Sequence, residues 1–168
     1  MNSAGVNIRA ANTKDVVAIR KLVDTYAGDR RLLSKATVTL FEDVQEFMVA
    51  ENAGSIVGCG ALHVMWEDLA EVRTVAVVPE LRRKGIGSGV LQSLITKGQL
   101  LGVNRFFALT FETEFFAQHG FVEITETPVA PEVYRQLLES YDVGVAEFLD
   151  LEKVKPNTLG NTRMILNL

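Results

Sequence analysis

The densest chemistry in the chain lies between Val75 and Val90. There an apolar stretch and Pro79 lead into three consecutive cations, Arg82, Arg83 and Lys84, and then into glycines at 85, 87 and 89. The first turn of a helix leaves N–H groups without intrahelical partners and carries partial positive charge, so a glycine-lined turn there lets the main chain close on an oxyanion. The same residues also read as a solvated basic loop, and composition alone leaves both readings open. A second concentration of charge is Glu71 and Arg73, two apart in EVRTVAV and expected on one face of a strand with Val75 and Val77. Burying such charges without partners is costly, so they must pair with each other or line a wet cleft. A carboxylate in that setting can take a proton from an ammonium group.

Positioning these residues requires an ordered set of elements. A strand is expected at Val6–Ala11, then a helix capped by Asn12 or Thr13 with Val16, Ile19, Val23 and Tyr26 at helical spacing and a stop at Gly28. A second helix is expected to carry Leu40, Phe41, Val44 and Phe47. Phe47–Glu51 and Ile56–Met65 read as a hairpin around Asn52-Ala53-Gly54-Ser55, and Glu71–Val78 as a third strand stopped by Pro79. A helix from about Gly85 to Leu101 buries Val90, Leu91, Leu94, Ile95 and Leu101. After Gly102 follow a strand at Arg105–Thr110, a short helix around Thr113–Gln118, a turn at His119-Gly120, a strand at Phe121–Ile124, a helix at Pro131–Tyr141 and a last strand at Thr162–Leu168. The order mixes α and β around a central strand–loop–helix–strand unit.

Composition narrows the functions this frame can serve. With 168 residues, 48% of them hydrophobic and 23% charged, the chain is read as a single domain over residues 1–168. Seventeen Lys+Arg against 21 Asp+Glu leave a net charge of −4, which argues against nucleic acid or an anionic membrane as partner. The lone Cys59 cannot form an internal disulfide, and His63 and His119 are too far apart for an ordinary zinc site, so no metal is expected. Cys59, inside an apolar run, is expected to be a buried inert thiol. The N-terminus lacks the pattern of an export signal and no apolar run reaches ~18 residues, so a cytoplasmic protein is expected.

Two familiar glycine fingerprints fail. Val90 stands where the dinucleotide motif needs its third glycine, and no Gly-Lys-Ser/Thr follows at Walker spacing. What fits is R-x-x-G-x-G as Arg82-Arg83-Lys84-Gly85-Ile86-Gly87, preceded by VAVVP and followed by FFALT and then FFAQHGF. In this the chain resembles the GCN5-related N-acetyltransferase (GNAT) superfamily. Within it, RLLSKATVTLFEDVQEFMVAE, IVGCGALHV, AEVRTVAV and FFALTFETEFFAQHGF resemble the acetyltransferase domain of N-acetylglutamate synthases, especially the short stand-alone type of arginine biosynthesis. The longer enzymes carry an amino-acid-kinase-like domain for which these 168 residues leave no room.

The resemblance implies an α/β fold of the α+β kind: a mixed, mostly antiparallel sheet flanked by helices and splayed where acetyl-CoA binds. It implies that the main chain of Val75 and Val77 pairs with the pantetheine arm, and that Arg82, Arg83, Lys84, Gly85, Ile86, Gly87 and Ser88 hold the pyrophosphate. Glu71 matches the family's catalytic glutamate, and Thr110 could donate to the departing sulfur or the developing oxyanion. Phe115 and Phe116 occupy the stretch where many members carry a tyrosine acid, which excludes that acid here. Lys35, Arg73 and Arg163 are the cations expected at a substrate carboxylate. The implied reaction is direct attack of the α-amine of L-glutamate, or L-glutamine, on the thioester of acetyl-CoA. Its partners are small molecules, and a homodimer is compatible with it. The rivals are an acetyltransferase for another amine and a non-catalytic acetyl-CoA sensor.

Overall fold

The computed structural model describes residues 5–28, 36–152 and 160–168. In chain order the elements are β1 (Val6–Ala10), α1 (Val16–Ala27), α2 (Thr37–Glu42), β2 (Phe47–Asn52), β3 (Ser55–Trp66), β4 (Leu69–Val77), α3 (Ile86–Leu100), β5 (Arg105–Thr110), α4 (Thr113–Gln118), β6 (Val122–Glu123), α5 (Pro131–Leu137), α6 (Val143–Phe148) and β7 (Thr162–Asn167). The strands form one mixed sheet of order β1-β2-β3-β4-β5-β7-β6. β4 and β5 run parallel, as expected for strands joined by a crossover helix, while β1–β2, β2–β3, β5–β7 and β6–β7 are antiparallel. The parallel register covers Leu69–Glu71 against Arg105–Phe107. The backbone groups into two compact units, Met1–His63 with Val72–Leu101, and Val64–Glu71 with Gly102–Leu168.

In the first unit, the 3-10 turn Thr13–Asp15 that leads into α1 is fixed by reciprocal caps. The Asn12 side chain accepts from the Lys14 amide at 2.9 Å, and the Asp15 carboxylate accepts from the Asn12 amide at 2.8 Å. Arg9 on β1 grips the same carboxylate through two nitrogens at 2.7 and 2.9 Å and reaches Glu51 on β2 at 2.9 Å. That hydrogen bonding, outweighing burial, holds Asp15 below the usual carboxylate range. From there Val16, Ile19, Leu22 and Val23 turn inward onto Phe47, Val49, Cys59 and Ala61. The β2–β3 hairpin closes on Ala53 and Gly54, both left-handed at φ 48° and 78°, the geometry a two-residue hairpin turn requires.

α3 lies close on the sheet because glycines leave it room. A Cβ on Gly60 of β3 would stand 2.8 Å from both Leu94 and Val90. One on Gly58 would stand 3.1 Å from Ile86, and one on Gly89 would stand 2.6 Å from Ile8 of β1. In the second unit, Leu69, Phe107, Leu137, Val145, Phe148 and Ile165 form the apolar cluster, with the rings of Phe107 and Phe148 edge to face at 5.2 Å.

The structure corrects several boundaries. The second helix does not extend through Val44 and Phe47: α2 ends at Glu42, Asp43 leaves helical geometry, and a 3-10 turn at Val44–Glu46 delivers Phe47 into β2. Apolar residues at 40, 41, 44 and 47 keep helical spacing, but the β2–β3 ladder claims Phe47, which pairs with Ala61. β4 begins at Leu69, two residues before the expected start. α5 stops at Leu137, well short of Tyr141, which is fully exposed. Leu101 is 59% exposed rather than buried, because it caps α3 and has left the helical face. α6 was not anticipated. No helix among the described residues is long and apolar enough to cross a membrane.

Gly60→Ala should lose about 1–3 kcal/mol of stability in urea unfolding through overpacking against Val90 and Leu94. Gly28→Ala should gain about 0.4–1 kcal/mol, because Gly28 already has helical angles and open space around its Cβ position. Equal effects at the two sites would contradict the packing described. Asp15 should stabilise the fold fully above the usual aspartate range near pH 3.9 and lose that contribution as pH falls through its lower folded value. Asp15→Asn should therefore lower the thermal midpoint at pH 7 and make it less steep against pH below about 4.

Candidate active site

β4 and the segment after it carry most of the candidate residues. Alternation along β4 is interrupted at Thr74, whose φ is +59°, rare for a β-branched residue. The break sends Arg73 and Val75 to opposite faces, contrary to the shared face expected from their spacing. Val75 lies against the Cβ position of Gly60, beside Val90 and Leu94 of α3, while Ala76 joins Cys59 and Ala61 in the cluster under α1. Arg73 instead reaches Glu46, with Nη2 at 3.2 Å from Oε2, and the other oxygen of Glu46 lies 2.6 Å from His63 Nδ1. Burial alone would raise the proton affinity of Glu46, but the His63 hydrogen bond and the Arg73 charge outweigh it and hold the carboxyl below its usual range. His63 is thus part of a charged network, and Glu46 is a residue that sequence reasoning passed over.

Beyond β4, Pro79–Leu81 form a 3-10 turn and Arg82 is extended. Arg83 and Gly85 are both left-handed, at φ 62° and 81°, before α3 begins at Ile86. Gly85 is the N-cap, and it supplies no side-chain hydrogen bond to the first turn. The 15-residue α3 therefore presents main-chain N–H groups at a turn flanked by the exposed Arg82, Arg83 and Lys84. Ile86 pins the turn from below, 2% exposed against Gly58. Val75 and Val77 are half-buried. Tyr26 Oη donates to the Val77 carbonyl, and the Val78 amide donates to Val57 O at 2.9 Å, which fixes the end of β4.

The second unit holds Glu71, Thr110 and Arg163. Glu71 is 6% exposed, and its carboxyl fills the place a side chain on Gly144 of α6 would need: a Cβ there would lie 1.8 Å from Oε2. The Thr110 hydroxyl, 8% exposed, accepts from the Glu112 amide at 2.9 Å, which leaves its own proton to donate. Arg163 on β7 donates to the main-chain carbonyls of Glu147 at 3.2 Å, of Phe148, and of Glu126 at 3.5 Å, and to Thr127 Oγ1 at 3.4 Å. Burial lowers its proton affinity. Lys35 lies outside the described residues. Phe115 stacks edge to face on Phe116 and on His119, and Phe116 on Phe121, so the stretch that could have carried a tyrosine is aromatic packing. Burial lowers the His119 proton affinity and pushes the Cys59 thiol up to about 12. No group of three or more metal-ligating side chains occurs among the described residues.

A parallel β4–β5 pair bridged by a helix that opens on a left-handed, cation-flanked turn is a family-level signature. Residues 18–122 match the acetyltransferase (GNAT) family, and the chain belongs to it. It is 58% identical to an amino-acid acetyltransferase of Mycobacterium tuberculosis, over 96% of this chain and 94% of that one. An amino-acid acetyltransferase of Neisseria meningitidis is 33% identical over 79% of this chain and 31% of its own length. Among solved structures, a Mycobacterium tuberculosis protein in complex with CoA and NLQ superposes with a TM-score of 0.92, at 57% identity over 96% of this chain and 99% of that one. N-acetylglutamate synthase of Neisseria gonorrhoeae, complexed with coenzyme A and N-acetyl-glutamate, has a TM-score of 0.79 at 26% identity, covering 98% of this chain and 35% of that one.

Gly85→Val should cost about 1–2 kcal/mol of stability, the penalty for a branched residue at positive φ, and should weaken CoA binding at least tenfold by calorimetry. Unaltered CoA affinity in that folded variant would remove the loop from the site.

Proposed function

We propose that this protein transfers the acetyl group of acetyl-CoA to the α-amine of L-glutamate, or of its amide L-glutamine, as the cytoplasmic first step of arginine biosynthesis. The observation that carries the reading is β4 itself, which holds a buried carboxylate at Glu71 and runs, through the 3-10 turn Pro79–Leu81, to the cation-flanked turn that opens α3. Relatives support it: an amino-acid acetyltransferase is 58% identical to this chain, and two solved relatives hold CoA with NLQ or with N-acetyl-glutamate.

In this reading the N–H groups of Arg83 to Ser88, together with Arg82, Arg83 and Lys84, hold the pyrophosphate, and the main chain of Val75 and Val77 holds the pantetheine arm. Glu71 takes a proton, through water, from the substrate ammonium. The neutral nitrogen then attacks the thioester carbonyl carbon. A C–N bond forms and the C–S bond breaks with its electron pair passing to sulfur, while the nitrogen loses its second proton and the thiolate gains one. The Thr110 hydroxyl, already oriented by the Glu112 amide, donates to the oxyanion or to the leaving sulfur. Lys35, Arg73 and Arg163 are the cations assigned to substrate carboxylates. Of these, Arg73 is braced by Glu46, and Arg163 is tied to the main chain around α6.

Glu71→Gln should lower kcat/KM at pH 7 by about 10²–10⁴-fold, with partial recovery at high pH as the free amine accumulates. The rate is followed as CoA thiol release with a panel of glutamate, glutamine, polyamines and N-terminal peptides. An unchanged pH profile would remove Glu71 as the base. Release with another amine but neither amino acid would overturn the substrate, and CoA binding without release with any amine would mark a sensor.

A further inference from the structure

α6 is six residues long, and its Gly144 lies against the Glu71 side chain within the second unit. Gly144 is buried, and a Cβ placed on it would lie 1.8 Å from Glu71 Oε2, 2.7 Å from Glu71 Cδ and 3.0 Å from Asp142 Oδ1. One point in space therefore has two carboxylates as immediate neighbours. Asp142 is the N-cap of α6, and its Oδ1 accepts from the Val145 amide at 3.1 Å, so its position is fixed by the helix it begins. Leu69, two residues before Glu71 on the same strand, packs with Val145 and Phe148, and this anchors α6 over that face of β4.

We infer that the turn Asp142–Gly144 is a positioning device for the general base: Gly144 provides the notch that receives the Glu71 carboxyl, and the Asp142 charge raises that carboxyl's proton affinity. A fixed negative charge beside a carboxylate disfavours its ionised form, because like charges at short range in a water-poor site repel strongly. For a base that must capture a proton from an ammonium group, the effect narrows the gap between donor and acceptor. The other charged and titratable groups around this face are Glu147 on α6, Asp150 just after it, Arg163 on β7, Tyr134 on α5, Arg105 on β5 and, two residues along β4 itself, Arg73, whose charge is shared with Glu46 at 3.2 Å. Arg105 is held by Asp68 at 2.9 Å. Arg163 spends its N–H groups on the carbonyls of residues 126, 147 and 148 and on Thr127 Oγ1, and its charge faces Glu147 and Asp150.

The inference rests on Glu71 as the base, and the test separates the two. Asn caps a helix about as well as Asp, so Asp142→Asn keeps the Val145 hydrogen bond and removes the charge. The expected result is an acidic limb of the kcat/KM profile moved down by about one pH unit, with the thermal midpoint and CoA affinity unchanged. Gly144→Ala should lower kcat at least tenfold with CoA affinity retained, and should add no further loss in a Glu71→Gln background. A limb that stays in place in Asp142→Asn, or a Gly144→Ala effect that simply multiplies with Glu71→Gln, overturns the inference. If Glu71→Gln alone leaves the pH profile untouched, it is the assignment of the base that fails. Should Gly144→Ala not fold, the Asp142→Asn profile decides.

Discussion

A strand alternates its side chains strictly, and β4 has neighbours that strict alternation cannot satisfy. Between Arg73, which must meet Glu46, and Val75, which must meet α3, the chain inserts one residue in left-handed geometry, Thr74. For a β-branched residue that conformation costs on the order of 1–3 kcal/mol and persists only where surrounding contacts over-determine it. Here the determinants are visible on both sides: an ion pair and a histidine contact below, and the apolar faces of Val90 and Leu94 above. With the break in place, Ala76 completes the core beside Cys59, and the strand ends with Val77 held by Tyr26, at the entrance to the turn that opens α3.

The second dependency is the absence of side chains at three places. Gly58, Gly60 and Gly89 remove bulk where α3 crosses β3 and β1, so the helix settles low on the sheet and its buried residues Ile86, Val90, Leu91 and Leu94 reach full contact. The first turn of α3 is thereby braced by packed atoms, and its N–H groups need not be ordered when a ligand arrives. Preorganisation of this kind lowers the entropic cost of binding.

Much of this was legible in the residues, for identifiable reasons. β5 and α4 have the bounds expected of them, because Gly102 and Gly120, both at positive φ, punctuate the chain there. The cation-flanked, left-handed turn that opens α3 was legible because cations, glycines and a following apolar helix sit together in sequence. Three things were not. The inversion at Thr74 has no local signature, since threonine is β-branched and disfavours left-handed geometry. Glu46 meets His63 and Arg73 from 17 and 27 residues away, a contact only the sheet creates. α6 is too short, and too rich in valine and glycine, to show a period; its one local mark was the capping Asp142.

Cys59 has a practical consequence. It is the only cysteine in the chain, and burial with its thiol pushed up to about 12 makes it unreactive toward alkylating and disulfide-forming reagents while the fold persists. The native sequence is therefore already a cysteine-silent background. A single cysteine placed at an exposed position such as Leu101 would be the one thiol that accepts a fluorophore or spin label, so conformational reporters can be installed without first removing a native cysteine.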